Sequence, residues 1–98
     1  MSERGVVSKG RPYGALGQIM DEIARDPRFN VRGPYRVADF VKERTGRGPA
    51  RNTWSDYFYG KSSPSPQTLR AFTEAFECNE RQVMALAYAR AFRGAAAA

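Results

Sequence analysis

Arg51-Asn52-Thr53-Trp54-Ser55-Asp56-Tyr57-Phe58-Tyr59-Gly60 holds three of its four aromatics at 54, 57 and 58, the i, i+3, i+4 spacing that gathers side chains on one side of an α-helix. Arg51, Asn52, Ser55, Asp56 and Tyr59 project the other way, so one short helix over about 50–59 combines a buried aromatic face with an outward polar face. Gly60 terminates it, and Arg47-Gly48-Pro49 forms the linker in front.

Upstream, Gly33-Pro34 punctuates the start of a helix at about Tyr35, in which Val37, Phe40 and Val41 face inward. Its last turn, Lys42-Glu43-Arg44-Thr45, is followed by Gly46, which supplies the left-handed conformation that closes a helix, while the cations suit the negative end of the helix dipole. Further upstream, Leu16, Ile19, Met20, Ile23 and Ala24 form a continuous stripe on a helix over about 13–25, ended by Asp26-Pro27.

Downstream, Ser65 before Pro66 predicts the N-cap and first position of a fourth helix, with Leu69, Phe72 and Phe76 as its core stripe. Asn79 with Gln82 resembles a capping box opening a fifth, which carries Val83, Met84, Leu86, Ala87, Tyr88, Ala91 and Phe92 around more than one face. Either that helix is buried in its own domain, or part of it pairs with a second subunit. No run alternates with the two-residue period of a strand, so the expected class is all-α, a compact five-helix bundle. Residues 1–11 are expected to be a flexible basic arm, 12–93 the single domain and 94–98 a fraying tail.

Composition limits the chemistry. With 98 residues there is room for one modest core. There is no His and one Cys, so a zinc finger, a catalytic triad and an intrachain disulfide lack their parts. No paired carboxylates, base-activated nucleophile or phosphate-cradling Gly loop is present; no catalytic residue, metal or small-molecule cofactor is expected, and the chain is not expected to be an enzyme. The N-terminal MSERGVVSKG is unlike a signal peptide, and the apolar run 84–89 is too short to span a bilayer, so a cytoplasmic, nucleoid-associated protein with no membrane partner is expected.

The formal net charge is +6, which makes a polyanion the first partner to consider. Most of it lies between residues 31 and 65, where seven cations (Arg32, Arg36, Lys42, Arg44, Arg47, Arg51, Lys61) face three acids (Asp39, Glu43, Asp56). The helices on either side of Gly46 have the order of a helix-turn-helix. A helix fits the major groove, where Arg pairs bidentately with guanine and Asn with adenine, and Arg51 and Asn52 are those side chains at the leading end.

Residues 36–89 resemble the phage-repressor (Cro-like, XRE-type) helix-turn-helix family. The recognition-helix pattern is matched by Trp54-Ser55-Asp56-Tyr57-Phe58-Tyr59-Gly60, and the following Pro-Ser-x-x-Thr-Leu feature by Pro64-Ser65-Pro66-Gln67-Thr68-Leu69. Val37-Ala38-Asp39 opens the preceding helix as in several members, and Gly33-Pro34-Tyr35 is similar to small actinobacterial regulators of the group. The resemblance implies a sequence-specific regulator of transcription, a repressor in many members, that binds double-stranded DNA as a homodimer. It implies base reading by Arg51, Asn52, Ser55 and Asp56. Asp56 either accepts a hydrogen bond from cytosine N4 or lies off the groove. It also implies phosphate contacts from Tyr59, Lys61, Ser62 and Ser63 and from Arg36 at the start of the preceding helix.

The chain departs from the family in its longer turn, Glu43 to Pro49, from which Arg47 reaches a phosphate, and in Trp54 and Phe58, larger or less polar than usual there. Met84, Tyr88 and Phe92 are the expected dimer contacts. Cys78 is either a small buried apolar residue or a redox or intersubunit group. Arg4, Lys9 and Arg11 either wrap DNA or solubilise the arm. The competing function is a protein-interaction module on the same scaffold, such as an antitoxin or accessory factor.

Overall fold

A computed structural model describes residues 12–91; the expected arm 1–11, Phe92 and Arg93 of the expected domain, and the expected tail 94–98 lie outside the described residues. Among the described residues five helices follow one another: α1 (Ala15–Ala24), α2 (Pro34–Thr45), α3 (Arg51–Phe58), α4 (Pro66–Ala75) and α5 (Glu80–Ala91). There is no strand among the described residues, and the all-α expectation holds. α2 packs on α3 and α4, and α1 packs on α3 and α5, so α3 is held from two sides.

Local chemistry sets the helix ends. Gly33 takes φ 92°, open to few residues but Gly, and hands the chain to Pro34 at the first turn of α2. Gly46 closes α2 in the left-handed region at φ 72°, its N–H donating to Lys42 O at 2.8 Å. Ser65 caps α4, its Oγ accepting from Thr68 N at 3.2 Å. Asn79 and Gln82 form a reciprocal box: Asn79 N donates to Gln82 Oε1 at 2.9 Å and Gln82 N to Asn79 Oδ1 at 2.8 Å.

The core is aromatic. Trp54, Phe58 and Phe72 are fully buried, with Trp54 edge-on to Tyr57 at 5.5 Å and Phe72 tilted against Phe76 at 4.7 Å. Each such pair contributes about 0.5–1.5 kcal/mol beyond its burial. Leu16, Met20, Ile23 and Ala24 bring in α1; Val37 and Val41 bring in α2. Phe40 is only partly buried, stacked on Phe76 at 4.6 Å with Arg44 over its outer face at 5.2 Å. Val31, in the α1–α2 connection, is buried, its N–H donating to Ala24 O at 2.8 Å. That anchoring has no periodic signal in the sequence.

α1 crosses the end of α3 backbone to backbone. Gly14 N donates to Phe58 O at 2.9 Å, and a Cβ at Gly17 would lie 2.0 Å from the same oxygen. Tyr13 adds an edge contact to Phe58 at 5.2 Å. α3 is thereby fixed at its last turn by α1, and its first turn is left facing outward.

Candidate nucleic-acid interface

α3 buries Trp54, Tyr57 and Phe58 against the core, which turns its opposite side outward. Arg51 and Asn52 on its first turn are exposed; Ser55 and Asp56 one turn on are half-buried, at the edge of the outward face. Of the four residues expected to read bases, the first two stand furthest into solvent.

Both are held by α2. Asp39 takes Arg51 in a fork, Arg51 Nε donating to Oδ1 at 3.0 Å and Nη2 to Oδ2 at 2.7 Å. Tyr35 Oη donates to Asn52 Oδ1 at 2.8 Å, and its ring lies under the Arg51 guanidinium at 5.9 Å from Cζ. The hydrogen bonds from Arg51 hold the Asp39 carboxyl below the usual carboxylate range, and Asp39 in turn raises Arg51. Asp39 therefore keeps its charge, and its pairing with Arg51, to lower pH than an unpaired aspartate would. The sequence carried no sign of these partnerships, because 12 and 17 residues separate the partners and only the packing of α2 on α3 joins them.

Other cations of the basic segment are paired as well. Arg47, expected at a phosphate, bonds Glu74 on α4 with Nη2 at 2.7 Å from Oε1. Arg44 bonds Glu77 at 2.8 Å. Exposed pairs of this kind are worth about 0–1 kcal/mol and open at little cost to a stronger anion. Arg36, Lys42 and Lys61 have no ion pair among the described residues and remain as exposed charge beside α3.

The loop after α3 is more structural than its expected phosphate-gripping role requires. Tyr59 is half-buried with its ring edge-on to Tyr13 at 5.1 Å. Lys61 N and Ser62 N both donate to Asp56 O, at 2.9 and 3.4 Å. Lys61 and Ser63 are exposed and Ser62 is half-buried, with Pro64 buried behind them. Arg90 of α5 pins the loop by donating from Nε to Pro64 O at 2.7 Å.

Away from this face, Met84 is 65% and Tyr88 67% exposed on α5, where only Leu86 and Ala89 are buried. They border an apolar groove of about 840 Å³ between α1 and α5, floored by Ala15, Ile19, Ala85 and Ala89 and rimmed by Glu80 and Arg81. Cys78 is half-buried against the core, and burial pushes its thiol up to about 11, which disfavours the nucleophilic thiolate at neutral pH.

No protein-family model, curated protein or solved structure matches the chain. No helix among the described residues is long and apolar enough to cross a membrane.

Proposed function

We propose that this chain is a sequence-specific double-stranded DNA-binding regulator of transcription, built on a helix-turn-helix bundle of the phage-repressor-like type with α3 as the recognition helix. The observation that carries the reading is the division of α3. Trp54, Tyr57 and Phe58 lock it to the core while Arg51 and Asn52 stand exposed on its leading turn, beyond the Gly46 turn from α2. Those two side chains have the donor and acceptor patterns that distinguish guanine and adenine in the major groove. Arg36 and Lys61, exposed without ion pairs among the described residues, supply phosphate contacts on either side, and Arg47 joins them by leaving Glu74. Ser55 and Asp56, half-buried, read bases only at the margin of the footprint.

The regulator acts as a homodimer through the α1–α5 face. Protruding Met84 and the adjacent groove form knob and hole on one patch, as an isologous two-fold contact requires, with Tyr88 at its border. Its rim carries one acid and one base, Glu80 and Arg81, so a second copy meets no net repulsion there, unlike at the cationic α2–α3 side. Two recognition helices then address half-sites about 34 Å apart.

The test is duplex selection from a random pool, followed by substitution. Arg51→Ala is expected to cost about 1–3 kcal/mol on the selected site and to relax preference at one base pair. Lys61→Ala is expected to weaken all duplexes alike and to flatten the salt dependence. Equal loss on selected and random duplex for Arg51→Ala would overturn the assignment of α3. A tight heterologous protein partner, together with weak and wholly non-specific duplex binding, would replace the proposal with a protein-interaction module.

A further inference from the structure

Resting on the reading that α3 enters the major groove, we infer that Asp39 and Tyr35 of α2 are positioning residues that aim the two base-reading side chains. Part of the sequence preference is then set from the helix behind the recognition helix.

The donor inventory carries the argument. A guanidinium has five N–H groups, arranged as a side-on fork (Nε with Nη2) and an end-on fork (Nη1 with Nη2). Asp39 occupies the side-on fork of Arg51 with contacts of 3.0 and 2.7 Å. The end-on fork is what remains, two parallel N–H groups matched to guanine O6 and N7. An unrestrained Arg would offer either fork in many rotamers; Arg51 offers one, and the Tyr35 ring at 5.9 Å from Cζ limits its swing.

Asn52 is treated the same way. The Tyr35 hydroxyl bonds Oδ1 at 2.8 Å, which orients the amide. One lone pair on Oδ1 and both hydrogens on Nδ2 are left, enough to accept from adenine N6 and donate to N7.

Charge supports this assignment over a role in holding the fold. Arg51 and Asp39 are each more than half exposed, so their bond adds little to stability. A carboxylate on a DNA-facing surface repels phosphate unless it is paired, and pairing with Arg51 turns that liability into orientation.

The experiment is duplex selection with the full chain, its Asp39→Asn and Tyr35→Phe variants, and Arg51→Ala and Asn52→Ala as references, with thermal melting of each. Asp39→Asn is expected to cut discrimination about 3- to 10-fold at the base pair that Arg51→Ala relaxes, a part of the roughly 5- to 150-fold that a bidentate pair supplies. Affinity for random duplex stays level or rises, because an acid has been removed. Tyr35→Phe is expected to relax a different base pair, the one that Asn52→Ala relaxes. Adding Asp39→Asn to Arg51→Ala changes discrimination no further, since the positioned group is gone. Melting midpoints stay within a few degrees of the parent. Wild-type preference in both variants, while Arg51→Ala and Asn52→Ala lose theirs, overturns the positioning role and leaves the DNA reading standing. Equal loss on selected and random duplex also overturns it, by showing a structural role. If the parent chain enriches no sequence, the DNA reading fails and the positioning role falls with it.

Discussion

Gly17 has no side chain to declare a purpose, yet it sits where the α1 backbone passes the last carbonyl of α3. A Cβ there would lie 2.0 Å from Phe58 O and 2.8 Å from Phe58 Cα, backbone atoms with nowhere to go. Gly17→Ala is therefore expected to cost about 2–3 kcal/mol despite the better helix propensity of Ala, lowering the melting midpoint by more than about 8 °C. A midpoint equal to the parent's would show that α1 does not approach α3 so closely. Burial at Trp54, Tyr57 and Phe58 was legible from spacing alone, because helical periodicity maps sequence onto faces. Gly17 was not legible: a glycine in a helix reads as a weak helix former until the helix crossing it is known. Asp39 falls in the same class, a solvated acid by sequence and a partner of Arg51 once α2 lies beside α3.

At the scale of the element, the sequence spoke through its ends. Ser65-Pro66, Asn79 with Gln82, and Gly46 each mark a boundary through bonds made within a few residues, and the structure forms them where local chemistry placed them. Ser65→Ala is expected to lose about 1 kcal/mol, read as a lower midpoint in chemical denaturation with an unchanged slope. No loss would mean that Pro66 at the first position is sufficient to start α4. The fifth helix was ambiguous for the converse reason. Apolar residues surround it, and periodicity cannot say which face meets the core. Contact with α1 buries Leu86 and Ala89 and leaves Met84 and Tyr88 outside. The α4–α5 corner was equally silent, turning on Glu77 at φ 48°, a left-handed position without the usual Gly.

Across the whole molecule, the cationic side formed by α2 and α3 and the apolar face formed by α1 and α5 are separate surfaces, the first proposed above for DNA and the second for a second copy. Met84→Glu is expected to convert a wild-type dimer to monomer in sedimentation at micromolar concentration, with the helical content and melting of the monomer preserved because the side chain is 65% exposed. It is also expected to weaken binding to a two-half-site duplex more than to a single half-site. A wild-type chain that sediments as a monomer at every concentration would remove the α1–α5 face from the assembly.

The sequence by itself determined the class, the five helices, most of their caps and the aromatic side of α3, because each rests on periodicity or on bonds between near neighbours. Tertiary structure alone decided which cations remain exposed without an ion pair among the described residues. The +4 between residues 31 and 65 does not act as seven free charges: Arg44, Arg47 and Arg51 are each drawn to a carboxylate that comes from another part of the chain. Ion pairing depends on distance in space, and distance in space is set by how the helices cross.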